Sequence, residues 1–185
     1  ESLRESFRVD LNTAGVDASS GSLGQGISVA VGMALSAKLS NEDYRVYTLL
    51  GDGEIQEGQV WEASMFAAAK KLDNLCVIVD NNGLQIDGPV DVVNSPYPIP
   101  EKFESFGFHV VRVADGNDFD QLRAAFAEAR ATKGVPTAIV MKTVKGKGIS
   151  YMENQVGWHG KAPNDEEYAI AVKELEEAEE ALCQK

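Results

Sequence analysis

Tyr44-Arg45-Val46-Tyr47-Thr48-Leu49-Leu50-Gly51-Asp52-Gly53 decides the fold: a run of β-branched and aromatic residues breaks off at a carboxylate set between two glycines. The run reads as a strand over 44–50. A helical pattern follows through Trp61, Ala63, Phe66, Ala67 and Ala68 to Leu72, and then a second strand over 75–79, apolar at every position. Continuous apolar character belongs to a strand covered on both faces, as in a parallel sheet. It too ends in polar residues, Asp80-Asn81-Asn82-Gly83. One βαβ unit therefore sets two polar strand ends side by side.

Outward from that unit the alternation continues. Upstream, Leu23, Ile27, Ala30, Val31, Ala34, Leu35 and Leu39 recur at helical spacing behind Ser22, predicting a largely buried helix with Ser22 at its start. Gly24 and Gly26 enrich its N-terminus. Downstream, Pro89, Pro96, Pro98 and Pro100 exclude regular structure from 88–100, which is expected to be a loop. Strand, helix and strand are predicted over 108–113, 119–131 and 137–143, then a loop carrying Gly and Lys over 144–160 and an acidic helix over 165–182. The alternation predicts an α/β fold, a doubly wound, mostly parallel sheet flanked by helices, whose ligands sit outside the carboxyl ends of the strands. Asp52 and Asn82 fall at two such ends.

At 185 residues and 44% hydrophobic, the chain suits one core, so 1–185 is read as a single domain. No apolar run is long enough to span a membrane. The net charge of −12, from 29 acidic against 17 basic residues, opposes attraction to nucleic acid or an anionic membrane, so any phosphate must be held by local groups. A good part of that excess lies between Asp165 and Glu180, on what reads as a solvated helix face. Cys76 and Cys183 form neither a disulfide framework nor a metal-binding spacing, and a reducing, cytoplasmic setting is expected. The start, Glu1-Ser2-Leu3-Arg4, lacks an initiator Met, as expected of a trimmed chain or a piece of a longer one.

Glycine on both sides lets Asp52 face a ligand while the backbone approaches closely, although Asp-Gly also makes ordinary turns. Asn82, thirty residues on, changes the balance because it ends the neighbouring strand. A carboxylate and an amide oxygen, completed by a backbone carbonyl, water and phosphate oxygens, make the octahedral shell Mg2+ prefers when it shares a phosphate ligand. Two independent turns are the alternative. Ser22-Leu23-Gly24-Gln25-Gly26 has the composition of a phosphate-cradling helix start but lacks the P-loop Lys and the dinucleotide spacing, which disfavours a nucleotide site. Close helix packing at Gly26 and Gly32 is its other use. His159 stands in a glycine-bearing loop beside Trp158, whereas His109 lies in an apolar strand run and reads as structural.

Gly51-Asp52-Gly53, some thirty residues and then Asn81-Asn82 closing a strand resembles the cofactor motif of thiamine diphosphate enzymes. Gly51-Asp52-Gly53-Glu54-Ile55-Gln56-Glu57-Gly58 followed by Val60-Trp61-Glu62-Ala63 resembles the transketolases in particular. So do Ser22-Leu23-Gly24-Gln25-Gly26, Gln85-Ile86-Asp87-Gly88, Lys142-Thr143-Val144-Lys145-Gly146-Lys147-Gly148 and Trp158-His159-Gly160. The resemblance covers almost the whole chain and implies the thiamin diphosphate-binding fold, with thiamine diphosphate and Mg2+, or another divalent cation such as Ca2+ or Mn2+, as cofactors. Position by position it implies metal binding by the Asp52 and Asn82 side chains and the Leu84 carbonyl, and a diphosphate contact by the Gly53 amide. It further implies Gly24 and Gly26 beside the cofactor, His159 over the diphosphate near the reacting sugar, and at Glu57 an acidic residue communicating with a second active site across a dimer.

The implied activity is transfer of a two-carbon ketol unit from a ketose phosphate to an aldose phosphate, in the pentose phosphate pathway. In transketolases the carboxylate that activates the aminopyrimidine belongs to a second domain, and certain histidines precede the segment at Ser22; this chain has neither. A homodimer or heterotetramer with a C-terminal chain or domain bearing the pyrimidine site is therefore implied, with no turnover by this chain alone. Competing readings are another thiamine diphosphate enzyme, 1-deoxyxylulose-5-phosphate synthase or a 2-oxoacid dehydrogenase component, and a non-catalytic assembly module of the same fold.

Overall fold

The computed structural model describes residues 15–183, so the reading of Glu1-Ser2-Leu3-Arg4 lies outside the described residues. In chain order the elements are α1 (Gln25–Ser40), β1 (Val46–Gly51), a 3-10 turn (Glu54–Gln56), α2 (Gly58–Ala69), β2 (Leu75–Asn81), β3 (Leu84–Gln85), β4 (Gly88–Pro89), α3 (Val90–Asn94), α4 (Ile99–Ser105), β5 (His109–Val113), α5 (Phe119–Ala131), β6 (Thr137–Lys142), a second 3-10 turn (Val156–Trp158) and α6 (Asp165–Cys183). The main sheet runs β1-β2-β6-β5 with every pair parallel, and β3 with β4 makes a separate antiparallel hairpin. Gly51 pairs with Asp80, and Asn81 with Lys142, so the carboxyl ends of β1, β2 and β6 form one row.

Helices cover both faces, as a doubly wound sheet requires. On one, α1, α2 and α4 bury Ile27, Ala34, Val60, Ala67, Ile99 and Phe103 against Leu50, Leu75, Val77 and Val79. On the other, Ala125 and Ala129 of α5 pack on Cys76, Ile78, Val111, Val113 and Ile139. The unbroken apolar run of β2 is explained by this double cover: Leu75, Cys76, Val77 and Val79 are fully buried. Trp61 stacks on Phe106 with centroids 5.5 Å apart and meets Phe103 at 5.2 Å, while its indole N–H donates to the Ile55 carbonyl at 3.0 Å. The aromatic at that position thus ties α2 to the turn that follows β1. Among the described residues no helix is long and apolar enough to cross a membrane.

Three expectations are corrected. The segment 88–100 is not a loop, since β4, α3 and the start of α4 occupy it. Pro89 and Pro98 take the extended positions before α3 and α4, and Pro100 lies in the first turn of α4, where a missing N–H deprives the helix of nothing. Ser22 does not cap α1: Gly24 is the N-cap, with left-handed φ of 79° and no side-chain hydrogen bond. Leu23 consequently sits outside the helical period, and Leu39 in the last turn has nothing over it; both are exposed, so α1 is less buried than its spacing promised. Strand boundaries also move: β1 starts at Val46 and β2 runs on through Asp80 and Asn81. Tyr47 and Leu49 are exposed because β1 is at the edge of the sheet among the described residues and α5 is centred over β5 and β6.

Candidate functional site

Asp52 lies just beyond β1 and is 1% exposed. Its two carboxylate oxygens accept different amides: Oδ1 from its own neighbour Gly53 at 2.9 Å, Oδ2 from Gly83 at 2.5 Å. The Gly83 contact crosses from one strand end to the next and is possible because Gly83 turns in the left-handed region, φ 83°. Burial pushes the Asp52 carboxyl above the ordinary carboxylate range, the like charge of Asp80 pushes the same way, and the two amides and Lys142 oppose them.

Around it, Asp80 accepts hydrogen bonds at Oδ1 from the Thr143 hydroxyl and from the Asn82 amide, the latter at 3.2 Å. The Asn82 side-chain oxygen accepts the Leu84 N–H at 2.9 Å, an Asx-type turn that holds the loop after β2. Asn81 points elsewhere, accepting the Tyr97 hydroxyl at 2.8 Å. Tyr97 feels the same cluster: burial raises its hydroxyl pKa, and the charges of Asp52 and Asp91 add to that. Lys142 ends β6 with its ammonium beside Gly83, 3.7 Å from where a Cβ would stand. The Val90 N–H donates to the Gly83 carbonyl at 3.0 Å, which makes Leu84 and Pro89 a non-hydrogen-bonded pair of the hairpin and turns the Leu84 carbonyl out of the ladder.

Asp52, Gly53, Asn82 and Leu84 are thus brought together, as expected from β1 and β2 being neighbours. The Gly53 N–H is engaged by Asp52, and a Cβ at Gly53 would come within 3.0 Å of the Gln85 Cβ, so the hairpin closes directly over this glycine. Glu57 is the exposed N-cap of α2, one position before the first helical residue, and its Cβ presses on Gly24. Gly24 therefore does meet the Gly51-to-Gly58 segment. Gly26 and Gly32 meet no atom within 4 Å of a Cβ position, so close helix packing does not explain either glycine. His159 is exposed at the end of the second 3-10 turn and, among the described residues, makes no side-chain hydrogen bond or ion pair with Asp52, Asn82 or any other group. Its loop is tied to α6 instead, through the Tyr151 hydroxyl on the Glu167 carbonyl and Ser150 on Glu174. His109 pairs with Glu128 at 2.7 Å, a structural contact between β5 and α5.

The sequence reading missed Glu54, whose carboxylate binds the amides of Gly24 and Gly51. The available signal was the three-residue offset from Gly51, the spacing at which a Glu reaches back to an earlier N–H. It also missed Lys142 as the cation of the cluster, since only the β2–β6 pairing places it there.

An all-oxygen donor set of one buried carboxylate, one side-chain amide and one carbonyl without a ladder donor suits a hard divalent cation. Among the described residues no three His, Cys, Asp or Glu side chains group to hold a metal, so an ion here would take amide, carbonyl and ligand oxygens besides Asp52. A cation would also relieve the burial of the Asp52 charge beside Asp80. The Gly53 and Gly83 N–H groups are taken by Asp52, so the Lys142 ammonium is the group of opposite polarity that this cluster offers a bound phosphate.

Comparison with known proteins identifies the family. The family model described as transketolase, thiamine diphosphate binding domain, matches residues 9–179. A 6-deoxy-6-sulfo-D-fructose transketolase subunit of Clostridium sp. (strain MSTE9) is 42% identical over 164 residues, covering 89% of this chain and 59% of that protein. An apulose-4-phosphate transketolase subunit of Phocaeicola vulgatus is 40% identical over 168 residues, covering 91% and 59%. The crystal structure of transketolase from Campylobacter jejuni superposes with a TM-score of 0.79 at 33% identity, over 83% of this chain and 25% of that one. The chain therefore spans little more than half the length of these subunit relatives and a quarter of the transketolase of known structure. Over that span it belongs to the transketolase family, as a member of its thiamine diphosphate-binding domain.

Proposed function

We propose that residues 1–185 act as one domain, the diphosphate-side half of a thiamine diphosphate- and Mg2+-dependent transketolase that moves two-carbon ketol units between sugar phosphates of the pentose phosphate pathway in the cytoplasm. The observation that carries this is the buried Asp52 carboxylate joined to the Gly83-bearing end of β2 at 2.5 Å, in a chain of this family. Asp52, Asn82 and the Leu84 carbonyl would hold the divalent ion, Mg2+ or in its place Ca2+ or Mn2+. Lys142 would face the diphosphate, and the Gly53 amide, which donates to Asp52 in this structure, would turn part of its N–H to it. Thiamine diphosphate supplies a thiazolium carbon able to stabilise the negative charge that carbon–carbon cleavage leaves behind.

The remaining roles belong to this chain's residues. His159, whose ring has no other partner among the described residues, would donate a hydrogen bond or move a proton at the sugar. Gly24 lies within reach of the same turn, while Gly26 stands further along α1 with open space around it, which leaves room for a neighbour. Glu57 is exposed beside Gly24, where a second copy or a partner chain would meet it. That partner would carry the pyrimidine domain in a homodimer or heterotetramer, and this chain without it would show no turnover.

The test is calorimetry of the chain assembled with a partner bearing the pyrimidine domain, titrated with thiamine diphosphate with and without Mg2+, on wild type and Asp52→Ala. Wild type should bind in an Mg2+-dependent manner, and Asp52→Ala should lose more than the roughly 10–100-fold that a second-shell change costs. Absence of any Mg2+-dependent binding by wild type would overturn the proposal. In the same assembly, turnover of xylulose 5-phosphate rather than pyruvate separates transketolase from the other thiamine diphosphate enzymes.

A further inference from the structure

Glu54 follows the Gly51-Asp52-Gly53 turn directly, and its carboxylate holds two backbone amides at once. Oε1 accepts the Gly24 N–H at 3.0 Å and Oε2 the Gly51 N–H at 3.1 Å. The two amides come from opposite ends of the α1–β1 unit. Gly51 is the last residue of the edge strand: the Asp52 N–H donates to the Asp80 carbonyl at 3.1 Å, so alternation turns the Gly51 N–H away from β2, toward an edge with no further strand of the sheet among the described residues. Gly24 is the N-cap of α1, left-handed and without a side-chain cap. One carboxylate therefore satisfies the outward amide of β1 and the first amide of α1 together.

Glycine at 51 and 53 lets the backbone come close to a ligand, but it also leaves Asp52 flanked on both sides by the most mobile residue type. A metal-binding carboxylate must be held within about half an ångström of its working position. At Gly53 the close approach of Gln85 supplies that restraint. At Gly51 the outward N–H is held from outside the sheet by Glu54. Hydrogen bonds from amides to a carboxylate are charge-assisted and stronger than neutral ones, which suits them to hold a turn against rotation.

We propose that Glu54 is a positioning residue: by clamping Gly24 and Gly51 it fixes the turn that aims Asp52 at Gly83 and Asn82, and so sets the affinity of the site for its divalent cation. This rests on the function proposed above, in which Asp52 is a ligand of that cation. Both Glu54 carboxylate oxygens are held by backbone amides, so its effect runs through the turn and is confined to the metal requirement. Loss of the clamp raises the Mg2+ concentration needed for thiamine diphosphate binding and leaves the affinity at saturating Mg2+ close to wild type.

The experiment measures thiamine diphosphate binding to the chain assembled with its pyrimidine-domain partner across a Mg2+ series, for wild type, Glu54→Gln, Glu54→Asp and the core control Phe103→Leu. Glu54→Gln keeps the length and one acceptor oxygen but turns an NH2 toward the other amide; Glu54→Asp keeps the charge but reaches only one of them. Half-saturating Mg2+ should rise about tenfold in Glu54→Gln and by less in Glu54→Asp, the order expected for one charge-assisted hydrogen bond. Phe103→Leu should lower Tm at least as far without moving the Mg2+ requirement. Amide exchange at Gly24 and Gly51 should accelerate in Glu54→Gln while the amides of β2 stay protected. An unchanged Mg2+ requirement in both Glu54 variants, or an equal rise in Phe103→Leu, overturns the inference and leaves the proposed function standing. Failure of wild type to bind at any Mg2+ concentration removes the proposed function and this inference with it. If Glu54→Gln does not fold, the Glu54→Asp result decides.

Discussion

Alanine at two glycines of the same helix region should have opposite effects. Gly24 has φ of 79°, and a Cβ there would lie 2.7 Å from the Cβ and 3.2 Å from the Cγ of Glu57. The left-handed backbone costs an alanine about 1–2 kcal/mol. The overlap falls on the Cβ at the N-cap of α2, which cannot swing away, and overpacking of this kind costs about 1–3 kcal/mol. Together Gly24→Ala should destabilise by roughly 2–5 kcal/mol, a large fraction of the roughly 5–15 kcal/mol typical of a domain. Gly32 sits in α1 with ordinary helical backbone and nothing within 4 Å of a Cβ position, so Gly32→Ala should stabilise by about 0.5–1 kcal/mol. In urea unfolding of the full chain followed by circular dichroism, with a slope near 2 kcal/mol/M, the midpoint should drop by about 1–2.5 M in the first variant and rise by about 0.3–0.5 M in the second. A Gly24→Ala midpoint equal to wild type would refute the close approach between the start of α1 and the start of α2. A fall in Gly32→Ala would refute the open space around α1.

Two further outcomes follow from single side chains. Burial pushes the Cys76 thiol up to about 12, whereas Cys183 is exposed, so a thiol reagent at pH 8 should modify one cysteine quickly and the second only in denaturant; two fast thiols would contradict the packing of β2 under α5. Asp118 caps α5 by accepting the Asp120 and Gln121 amides at 2.8 and 3.2 Å, and these bonds hold its carboxyl below the ordinary 3.8. A depressed folded value means stability present above 3.8 and lost as the pH falls through that lower value. Asp118→Ala should therefore melt at a lower temperature than wild type at pH 7, with the difference closing in acid; a gap independent of pH would assign the loss to something other than the charged cap.

What was legible in the sequence was legible for physical reasons. The five apolar residues 75–79 announced a strand buried on both faces, and the structure places them beside β6 at the centre of the sheet. From that, the meeting of Asp52 with the 82–84 turn followed, because neighbouring parallel strands end side by side. Pattern failed where tertiary contacts override it. Leu23 and Leu39 match the helical spacing of α1 but lie at its ends, beyond the core. Tyr47 and Leu49 have the residue types of a covered strand, but the helix over that face is centred two strands away. The prolines near 89–100 were read as breakers, though three of them stand at helix starts, where proline is tolerated. Lys142 and Glu54 escaped notice because each acquires its meaning from a partner distant in sequence, Gly83 in one case and Gly24 in the other.

The strand order has a consequence for how the molecule comes into being. Among the described residues β6 is the last of the sheet's strands in sequence yet stands between β2 and β5, so the two sides of the sheet are joined through a strand made after both. Until residues 137–142 emerge and insert, β2 has one naked edge, the Thr143 hydroxyl has not reached Asp80, and Lys142 is not beside Gly83. Sequence separations of about sixty residues make that insertion a slow, non-local step, and the waiting edge of β2 is an apolar template for other chains. The cluster around Asp52 is therefore completed late during synthesis, and a nascent chain stalled before residue 137 is a species for chaperones to protect.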